Sequence, residues 1–173
     1  LEDKRIIVTG SARGMGLATL TAFVQAGARV VGMDINDADG EQAARDANAL
    51  GPGKATYLHI DIADKSSVET AFQEAVNWLG GLDVLAHPAA IQAGSAASDV
   101  SVEHWDQMFA VNVRGTMITN QAAYHHMKAA GGGSIINFGS ISGQRAEPGA
   151  VAYSASKGAV HSWTRSAAGA WGM

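Results

Sequence analysis

The sequence contains no cysteine, which excludes a disulfide-stapled scaffold, a thiolate metal site and a cysteine nucleophile. It has no apolar run long enough to cross a bilayer, and its charged first residues do not form the apolar core of a signal peptide. The net charge of -4 provides no basic surface for nucleic acid. We therefore expect a cytoplasmic protein whose partner is a small molecule, with neither nucleic acid nor membrane involved.

The composition and the order of segments indicate an α/β domain. Hydrophobic residues make up 47% of the 173 residues and charged residues 16%, a balance typical of a globular domain. The predicted strands are Ile6–Thr9, Arg29–Met33, Ala55–Ile60, Leu82–Ala86 and Ser134–Phe138. The predicted helices are Gly16–Ala26, Ala38–Leu50, Ser66–Trp78, Val102–Phe109, Asn112–Ala130 and Tyr153–Trp171. This alternation predicts a Rossmann-type doubly wound parallel sheet of three layers, formed by residues 1–173 as a single domain.

A glycine-rich turn, Gly10-Ser11-Ala12-Arg13-Gly14-Met15-Gly16, joins the first predicted strand to the first predicted helix. Ligands of open parallel sheets bind at the carboxyl ends of the strands, and backbone N–H groups at a helix N-terminus attract anions. The spacing Gly-x3-Gly-x-Gly differs from the Gly-x-Gly-x-x-Gly pattern of many dinucleotide-binding turns. On spacing alone, a glycine-rich turn without a ligand is the alternative to a pyrophosphate-binding turn.

Asp34 follows the second predicted strand, where an acidic side chain can accept hydrogen bonds from an adenosine ribose. A carboxylate at this position would repel a 2′-phosphate, which favours NAD over NADP. Arg13 argues mildly for the opposite preference, because a guanidinium pairs with phosphate. The alternative is that Asp34 is a solvated loop carboxylate beside Asn36 and Asp37.

Tyr153 and Lys157 are four residues apart, so a helix places both side chains on one face. A free tyrosine has a pKa of about 10, and a neighbouring ammonium lowers that pKa by favouring the phenolate. A lowering by two or three units requires a partly desolvated site and a second positive charge, such as an oxidised nicotinamide ring. Without further context, the same spacing is typical of a surface pair.

Five motifs in the chain resemble, in order, those of the short-chain dehydrogenase/reductase family. They are the turn Thr9–Gly16, the pair Asp61-Ile62, the segment Asn112-Val113-Arg114-Gly115, the segment Ser134–Ser140 and the segment Tyr153-Ser154-Ala155-Ser156-Lys157-Gly158. Together they extend over nearly the whole chain. The resemblance is therefore far more specific than any single motif.

The resemblance implies a role for each of four candidate catalytic residues. Tyr153 would be the general acid/base, and Lys157 would lower the tyrosine pKa and hold the nicotinamide ribose. Ser140 would form a hydrogen bond with the substrate oxygen, with Ser142 and Ser154 as alternative serines. The fourth residue, Asn112, would hold a water molecule in a proton relay.

The resemblance also implies a set of cofactor-binding residues and an assembly. The expected cofactor is NAD, with NADP less favoured, and no metal is expected because the six histidines show no metal-ligand spacing. Relatives assemble as dimers or tetramers, so we expect a homodimer or homotetramer. The candidate cofactor-binding residues are Gly10, Ser11, Arg13, Gly14, Met15, Gly16, Asp34, Ile35, Asp61, Ile62, Ala89, Tyr153 and Lys157.

Two departures from the family pattern bear on function. The family usually has Asn-Asn-Ala-Gly after the fourth strand, and this chain has His87-Pro88-Ala89-Ala90. Pro88 removes a backbone donor, and Ala90 adds a methyl group where glycine allows close approach. We interpret His87 as a replacement hydrogen-bonding residue, with a new catalytic group as the alternative. Relative to the family fold, we also expect the last strands to be absent.

Two functional hypotheses follow. The first is an oxidoreductase that transfers a hydride between NAD(H) and a secondary alcohol or the matching ketone, with Tyr153 as acid/base. The alternative is a catalytically impaired dinucleotide-binding protein that serves as a sensor or scaffold. The altered turn after the fourth strand favours the alternative, whereas the complete set of four catalytic candidates favours the enzyme.

Overall fold

The computed structural model describes residues 1–172. The chain forms two compact units. The first unit contains Leu1–Ala89 and Ile118–Ile136, and the second contains Ala90–Met117 and the chain from Asn137 onward. That residues 1–173 act as one domain stays a prediction.

The first unit is built on a five-stranded sheet. Its strands are β1 (Arg5–Thr9), β2 (Arg29–Asp34), β3 (Lys54–His59), β4 (Val84–His87) and β5 (Ser134–Asn137), in the spatial order β3-β2-β1-β4-β5. The pairs β1–β2, β1–β4 and β2–β3 are parallel, which confirms the predicted sheet. β1 lies in the middle because its apolar run Ile6-Ile7-Val8 is fully buried, as a strand covered on both faces requires. The chain order reverses between β1 and β4, and such switch points are where ligands of this sheet type bind.

Six α-helices occur in residues 1–172, and they confirm the predicted Rossmann-type α/β fold. The helices α1, α2 and α3 alternate with the first four strands and pack against the sheet. Most predicted starts are shifted by one to three residues; α3, for example, is capped by Asp64, whose carboxylate accepts from the N–H of Ser66, so Ser66 lies inside the helix. The bounds are α1 Gly14–Gln25, α2 Asp37–Asn48, α3 Lys65–Leu79, α4 Val102–Phe109, α5 Gly115–Ala129 and α6 Val151–Trp171.

A π-helical turn, Ala110–Arg114, connects α4 to α5. The two predicted α-helices are present, with the first at Val102–Phe109 as predicted, but the second begins at Gly115 and not at Asn112, because a π-helical turn keeps the backbone helical between them. No glycine or proline interrupts the turn itself, so nothing local ends the helix. Turns of this kind are frequent at functional sites, and this one contains the candidate residue Asn112.

The second unit contains α4, the π-helical turn and α6, together with a short 3₁₀ turn at Ile141–Gly143. The buried positions of α6 recur on one face of the helix, as expected for an amphipathic segment. These positions are Ala152, Ser156, Lys157 and Val160. Within residues 1–172, none of the helices is long and apolar enough to span a membrane.

Candidate active site

The glycine-rich turn of the first unit has a closed side, where an added side chain would meet the backbone, and an open side at Gly14, where it would meet nothing. Gly10 has a φ of 62°, and a Cβ there would lie 2.8 Å from the Cα of Ala89, so a side chain would push the turn away from the end of β4. A Cβ on Gly16 would overlap the carbonyl of Gly10. Gly14 also has a positive φ, 57°, but a Cβ there would meet nothing within 4 Å. The turn therefore has open space for a side chain at Gly14, whereas side chains at Gly10 and Gly16 would meet the backbone.

The open side of this turn coincides with the start of α1. Arg13 occupies the N-cap position without a capping side-chain hydrogen bond, and both Arg13 and Met15 are exposed. The first N–H groups of a helix have no intrahelical acceptor, so they favour an anion. Ser11 lies beneath the turn, where its N–H donates to the Met33 carbonyl and its hydroxyl is fully buried. The open side at Gly14 and the uncapped start of α1 form the part of the first unit that could hold a phosphate group.

Asp34, the last residue of β2, joins the strand to the glycine-rich turn. One carboxylate oxygen accepts from the N–H of Ala12 at 3.0 Å, and the other accepts from the N–H of Asn36 at 3.0 Å. These two bonds hold the carboxylate beside the turn, so the alternative of a freely solvated side chain does not describe it. Ile35 follows and is 64% exposed, which leaves it available to an adenine ring.

The other candidates of the first unit lie at the ends of β3 and β4. The carboxylate of Asp61 accepts from the N–H of Ala63 at 2.9 Å and so closes its own turn. Ile62 is buried, with 7% of its surface exposed, so its side chain belongs to the core. Ala89 contributes its backbone to the wall against Gly10. Of these three residues, Asp61 presents the polar side chain.

His87, at the end of β4, forms a hydrogen bond between the two central strands. Its Nδ1 lies 2.7 Å from the hydroxyl of Thr9 and 3.5 Å from the hydroxyl of Thr119. The imidazole is 3% exposed. The short bond to Thr9 agrees with the interpretation of His87 as a replacement hydrogen-bonding residue.

Tyr153 and Lys157 lie one turn apart on α6 in the second unit. The Nζ of Lys157 is 5.7 Å from the centroid of the Tyr153 ring and donates to the carbonyl of Phe138 at 2.8 Å. The lysine is only 6% exposed, and this burial lowers its pKa by disfavouring the charged form. The ammonium is thus held next to the tyrosine in a poorly solvated site, where its effect on a phenol is strongest.

A second tyrosine–lysine pair with the same four-residue spacing shows how the Tyr153–Lys157 pair differs from an ordinary one. Tyr124 and Lys128 lie on α5 with a nearly identical separation, 5.6 Å from Nζ to ring centroid, but Lys128 is exposed. Solvent screens the charge of an exposed lysine. Spacing therefore does not distinguish the two pairs, whereas burial does.

Asn112 is buried at the π-helical turn, with 1% of its surface exposed. Both ends of its side-chain amide form hydrogen bonds with the backbone of Ile91. The amide oxygen of Asn112 accepts from the N–H of Ile91 at 2.9 Å, and its amide nitrogen donates to the Ile91 carbonyl at 2.9 Å. The same nitrogen donates to the hydroxyl of Ser156 at 3.0 Å, and that hydroxyl donates to the carbonyl of Tyr153. Asn112 thus connects the segment at Ile91 to the turn of α6 between Tyr153 and Lys157.

Ser140 stands at the start of the 3₁₀ turn. Its hydroxyl accepts from the N–H of Ser142 at 3.2 Å, and its own N–H donates to the Nε2 of His161 at 3.3 Å. A side chain at Gly139 would overlap the His161 ring. The alternative serine Ser154 has a buried hydroxyl for which no partner is found within the described chain.

Sequence reasoning missed His161 and Ser156, which support Ser140 and Asn112 respectively. Both lie on α6 at one or two helical turns from Tyr153, and the periodicity of that helix is the signal by which they could have been found.

A main-chain bridge ties the start of α6 to the segment that follows Ile91. The N–H of Ser95 donates to the carbonyl of Gly149 at 2.9 Å, and the carbonyl of Ser95 accepts from the N–H of Val151 at 3.2 Å. Val151 is the first residue of α6. The backbone at Ser95 therefore satisfies a donor at the helix start that side-chain capping leaves open.

Neither the cavity of the second unit nor a cluster of metal ligands within residues 1–172 adds a candidate residue. A cavity of about 730 Å³ lies in the second unit, with Phe109, Arg114 and Trp163 among its lining residues. None of the candidate site residues lines this cavity. Within residues 1–172, no group of three or more acidic or histidine side chains is arranged to hold a metal ion.

Comparison with known proteins identifies close relatives. The family model described as short chain dehydrogenase matches residues 4–172. Cyclopentanol dehydrogenase of Comamonas testosteroni is 38% identical over 97% of this chain and 67% of its own length. Sorbitol dehydrogenase of Cereibacter sphaeroides is 39% identical over 96% of this chain and 64% of its own length. The crystal structure of a short chain dehydrogenase from Mycobacterium smegmatis superposes with a TM-score of 0.95 at 28% identity, covering 99% of this chain and 72% of that one. The chain thus spans about two thirds of the length of the curated relatives it matches.

Proposed function

This chain belongs to the short-chain dehydrogenase family, and from that membership we propose that it transfers a hydride between NAD(H) and a secondary alcohol or the matching ketone. The family comprises oxidoreductases that use nicotinamide dinucleotides, and its members similar to this chain include alcohol dehydrogenases. Beyond this family membership, we propose the preference for NAD, the substrate class and the roles of the individual residues.

The observation that carries the proposal is the buried lysine beside Tyr153. In the oxidative direction the alcohol loses its hydroxyl proton to the Tyr153 oxygen and its carbon-bound hydrogen as a hydride. The bound nicotinamide supplies the hydride acceptor, and in reverse the hydride donor. A phenol with a pKa of about 10 is a poor base near neutrality, and each unit of lowering requires about 1.36 kcal/mol of preferential stabilisation of the phenolate. Lys157 supports this role because its ammonium is close to the ring and largely shielded from water.

The neighbouring residues support the same chemistry. Ser140 is proposed to donate its hydroxyl proton to the substrate oxygen, which helps to hold that oxygen for proton exchange with Tyr153. Asn112 is proposed to hold a relay water and, through its bond to Ser156, to keep the turn of α6 that carries Tyr153 and Lys157 in place. The backbone carbonyl of Phe138 orients the lysine ammonium. All six of these residues belong to the second unit.

The first unit is proposed to hold the adenosine and pyrophosphate groups. The open side of the turn at Gly14 and the uncapped start of α1 suit the phosphates. The Asp34 carboxylate keeps lone pairs beyond its two backbone bonds, and these can accept from ribose hydroxyls. A 2′-phosphate in that position would face the negative charge of the Asp34 carboxylate, which supports NAD over NADP, whereas the exposed Arg13 next to Ala12 favours the opposite preference.

A substrate panel tests the proposal. Turnover is followed at the NADH absorbance band with NAD and with NADP, and the panel includes cyclopentanol and sorbitol because relatives are named for them. The variant Tyr153→Phe should lose about 10²- to 10⁴-fold in kcat, the usual contribution of a general acid/base, and keep its affinity for NADH. The matched control is Tyr124→Phe, which removes the hydroxyl from the exposed pair and should retain full turnover.

The outcomes separate the two functions considered for this chain. Unchanged turnover in Tyr153→Phe would remove the proposed acid/base. NADH binding by the wild-type protein without hydride transfer to any member of the panel would favour the sensor or scaffold instead. Assembly as a homodimer or homotetramer stays a prediction.

A further inference from the structure

A chain of polar contacts outside the catalytic cluster fixes the end of β2. The hydroxyl of Tyr57 lies 2.7 Å from the backbone carbonyl of Asp34 and 2.7 Å from a carboxylate oxygen of Asp37. The Nδ1 of His59 lies 2.7 Å from the same oxygen of Asp37. Tyr57 and His59 come from β3, whereas Asp34 and Asp37 enclose the connection from β2 to α2. This contact chain therefore ties that connection to the neighbouring strand.

The ionisation of these groups favours the contacts. Hydrogen bonds from Tyr57 and His59 lower the pKa of Asp37, so its carboxylate is ionised at neutral pH. Burial, followed by the neighbouring Asp37 carboxylate, raises the pKa of Tyr57, so the phenol keeps its proton. A protonated phenol has one hydrogen, which it shares between the Asp34 carbonyl and the Asp37 carboxylate.

The ring of Tyr57 packs closely against α2. A side chain at Gly40, in the first turns of α2, would overlap the Tyr57 ring. The absence of a side chain there lets the ring lie directly against the helix backbone. Tyr57 is therefore fixed by packing at its ring and by hydrogen bonds at its oxygen, and its hydroxyl adds to the strand contacts that hold the backbone of Asp34.

We propose that Tyr57 is a positioning residue for cofactor selectivity, because it holds the backbone of Asp34 and thereby the carboxylate that discriminates NAD from NADP. This inference rests on the proposed function. The carboxylate of Asp34 is fixed from the other side by the N–H groups of Ala12 and Asn36, and its carbonyl also accepts from the N–H of Ile60 at 3.0 Å. The loss of the Tyr57 bond therefore frees one of four attachments and leaves the carbonyl with one donor. A less well placed carboxylate binds the ribose hydroxyls less tightly and repels a 2′-phosphate less effectively.

The test compares equilibrium binding of NADH and NADPH, measured by nucleotide fluorescence, in a double-mutant cycle of Tyr57→Phe and Asp34→Ala. Tyr57→Phe keeps the ring against Gly40 and removes only the hydroxyl. We expect the ratio of the NADPH Kd to the NADH Kd to fall about threefold to tenfold, the effect of one hydrogen bond. In the Asp34→Ala background, Tyr57→Phe should change that ratio less than about twofold, because the group through which it acts is gone.

Tyr124→Phe is the matched control and should leave the ratio unchanged. Thermal unfolding of each variant verifies that it is folded before its Kd values are compared. An unchanged ratio in Tyr57→Phe, or an equal loss of affinity for both dinucleotides, would overturn the role of Tyr57 and leave the proposed function intact. Wild-type protein that binds neither dinucleotide would overturn the proposed function, and this inference with it.

Discussion

Substitution of Gly14 by alanine separates the stability of the glycine-rich turn from its capacity to bind a ligand. Gly14 has a φ of 57°, so a side chain there costs about 1 to 2 kcal/mol of unfolding free energy through left-handed strain. A Cβ at this position meets nothing within 4 Å, so no packing penalty is added. The methyl group would, however, occupy the space through which the dinucleotide phosphates are proposed to approach. We expect the Kd for NADH to rise at least about tenfold, equivalent to 1.4 kcal/mol.

Two further glycines provide the comparison. Gly80 also has a positive φ, 79°, with nothing within 4 Å of a Cβ, and it ends α3. Gly80→Ala should therefore lose about the same 1 to 2 kcal/mol and retain wild-type affinity for NADH. Gly10→Ala should lose a further 1 to 3 kcal/mol, roughly the cost of overpacking, because its Cβ would lie 2.8 Å from the Cα of Ala89.

The assay combines urea unfolding, for the stability differences, with calorimetric titration of NADH into the folded variants. Gly14→Ala and Gly80→Ala should agree in stability and differ in NADH affinity. Wild-type affinity in Gly14→Ala would refute the reasoning, because the open side of the turn would then not face the phosphates. Equal affinity losses in both variants would show that strain, rather than ligand access, is responsible.

Two other predictions concern stability. Asp83 accepts three hydrogen bonds from Arg5, and this pairing lowers its pKa from 3.8 to about 2. Allowing for solvent screening of a partly exposed pair, Asp83→Asn should lower the unfolding free energy at pH 7 by about 1 to 2 kcal/mol. Because the folded-state pKa lies below the unfolded one, the difference from wild type should persist above pH 3.8 and vanish as the pH falls through about 2, as urea unfolding at several pH values would reveal. Asn112→Ala should cost about 2 to 4 kcal/mol in thermal unfolding, since it leaves the buried polar groups of Ile91 and Ser156 without their amide partner; a loss below about 1 kcal/mol would contradict this.

The fold was largely predictable because its determinants are local. Near-continuous apolar runs indicated the strands, and glycines at helix ends, such as Gly80 after α3, indicated where the helices end. The start of β4 was placed two residues early, at Leu82, because hydrophobicity does not reveal where pairing begins; the register with β1 begins at Val84. The π-helical turn at Ala110–Arg114 has no local signal in the sequence.

The candidate site was predictable only where its residues are neighbours on one element. The helical spacing of Tyr153 and Lys157 indicated a shared face, which the structure shows. The burial that distinguishes Lys157 from Lys128 depends on the folded environment and could not be inferred from spacing. Similarly, the bond from Tyr57 to the carbonyl of Asp34 joins residues 23 positions apart, and it exists only because β2 and β3 pair in one register.

The bridge between Ser95 and the first turn of α6 has a practical consequence for protein engineering. A library that randomises residues 92–100 would also alter the backbone that anchors the helix carrying Tyr153. Under the proposed function, we expect variants from such a library to transfer the proton at Tyr153 more slowly, even where the substituted residues do not touch the reacting groups. A design that keeps the main-chain path at Ser95 and varies only its flanks would let recognition evolve independently of rate.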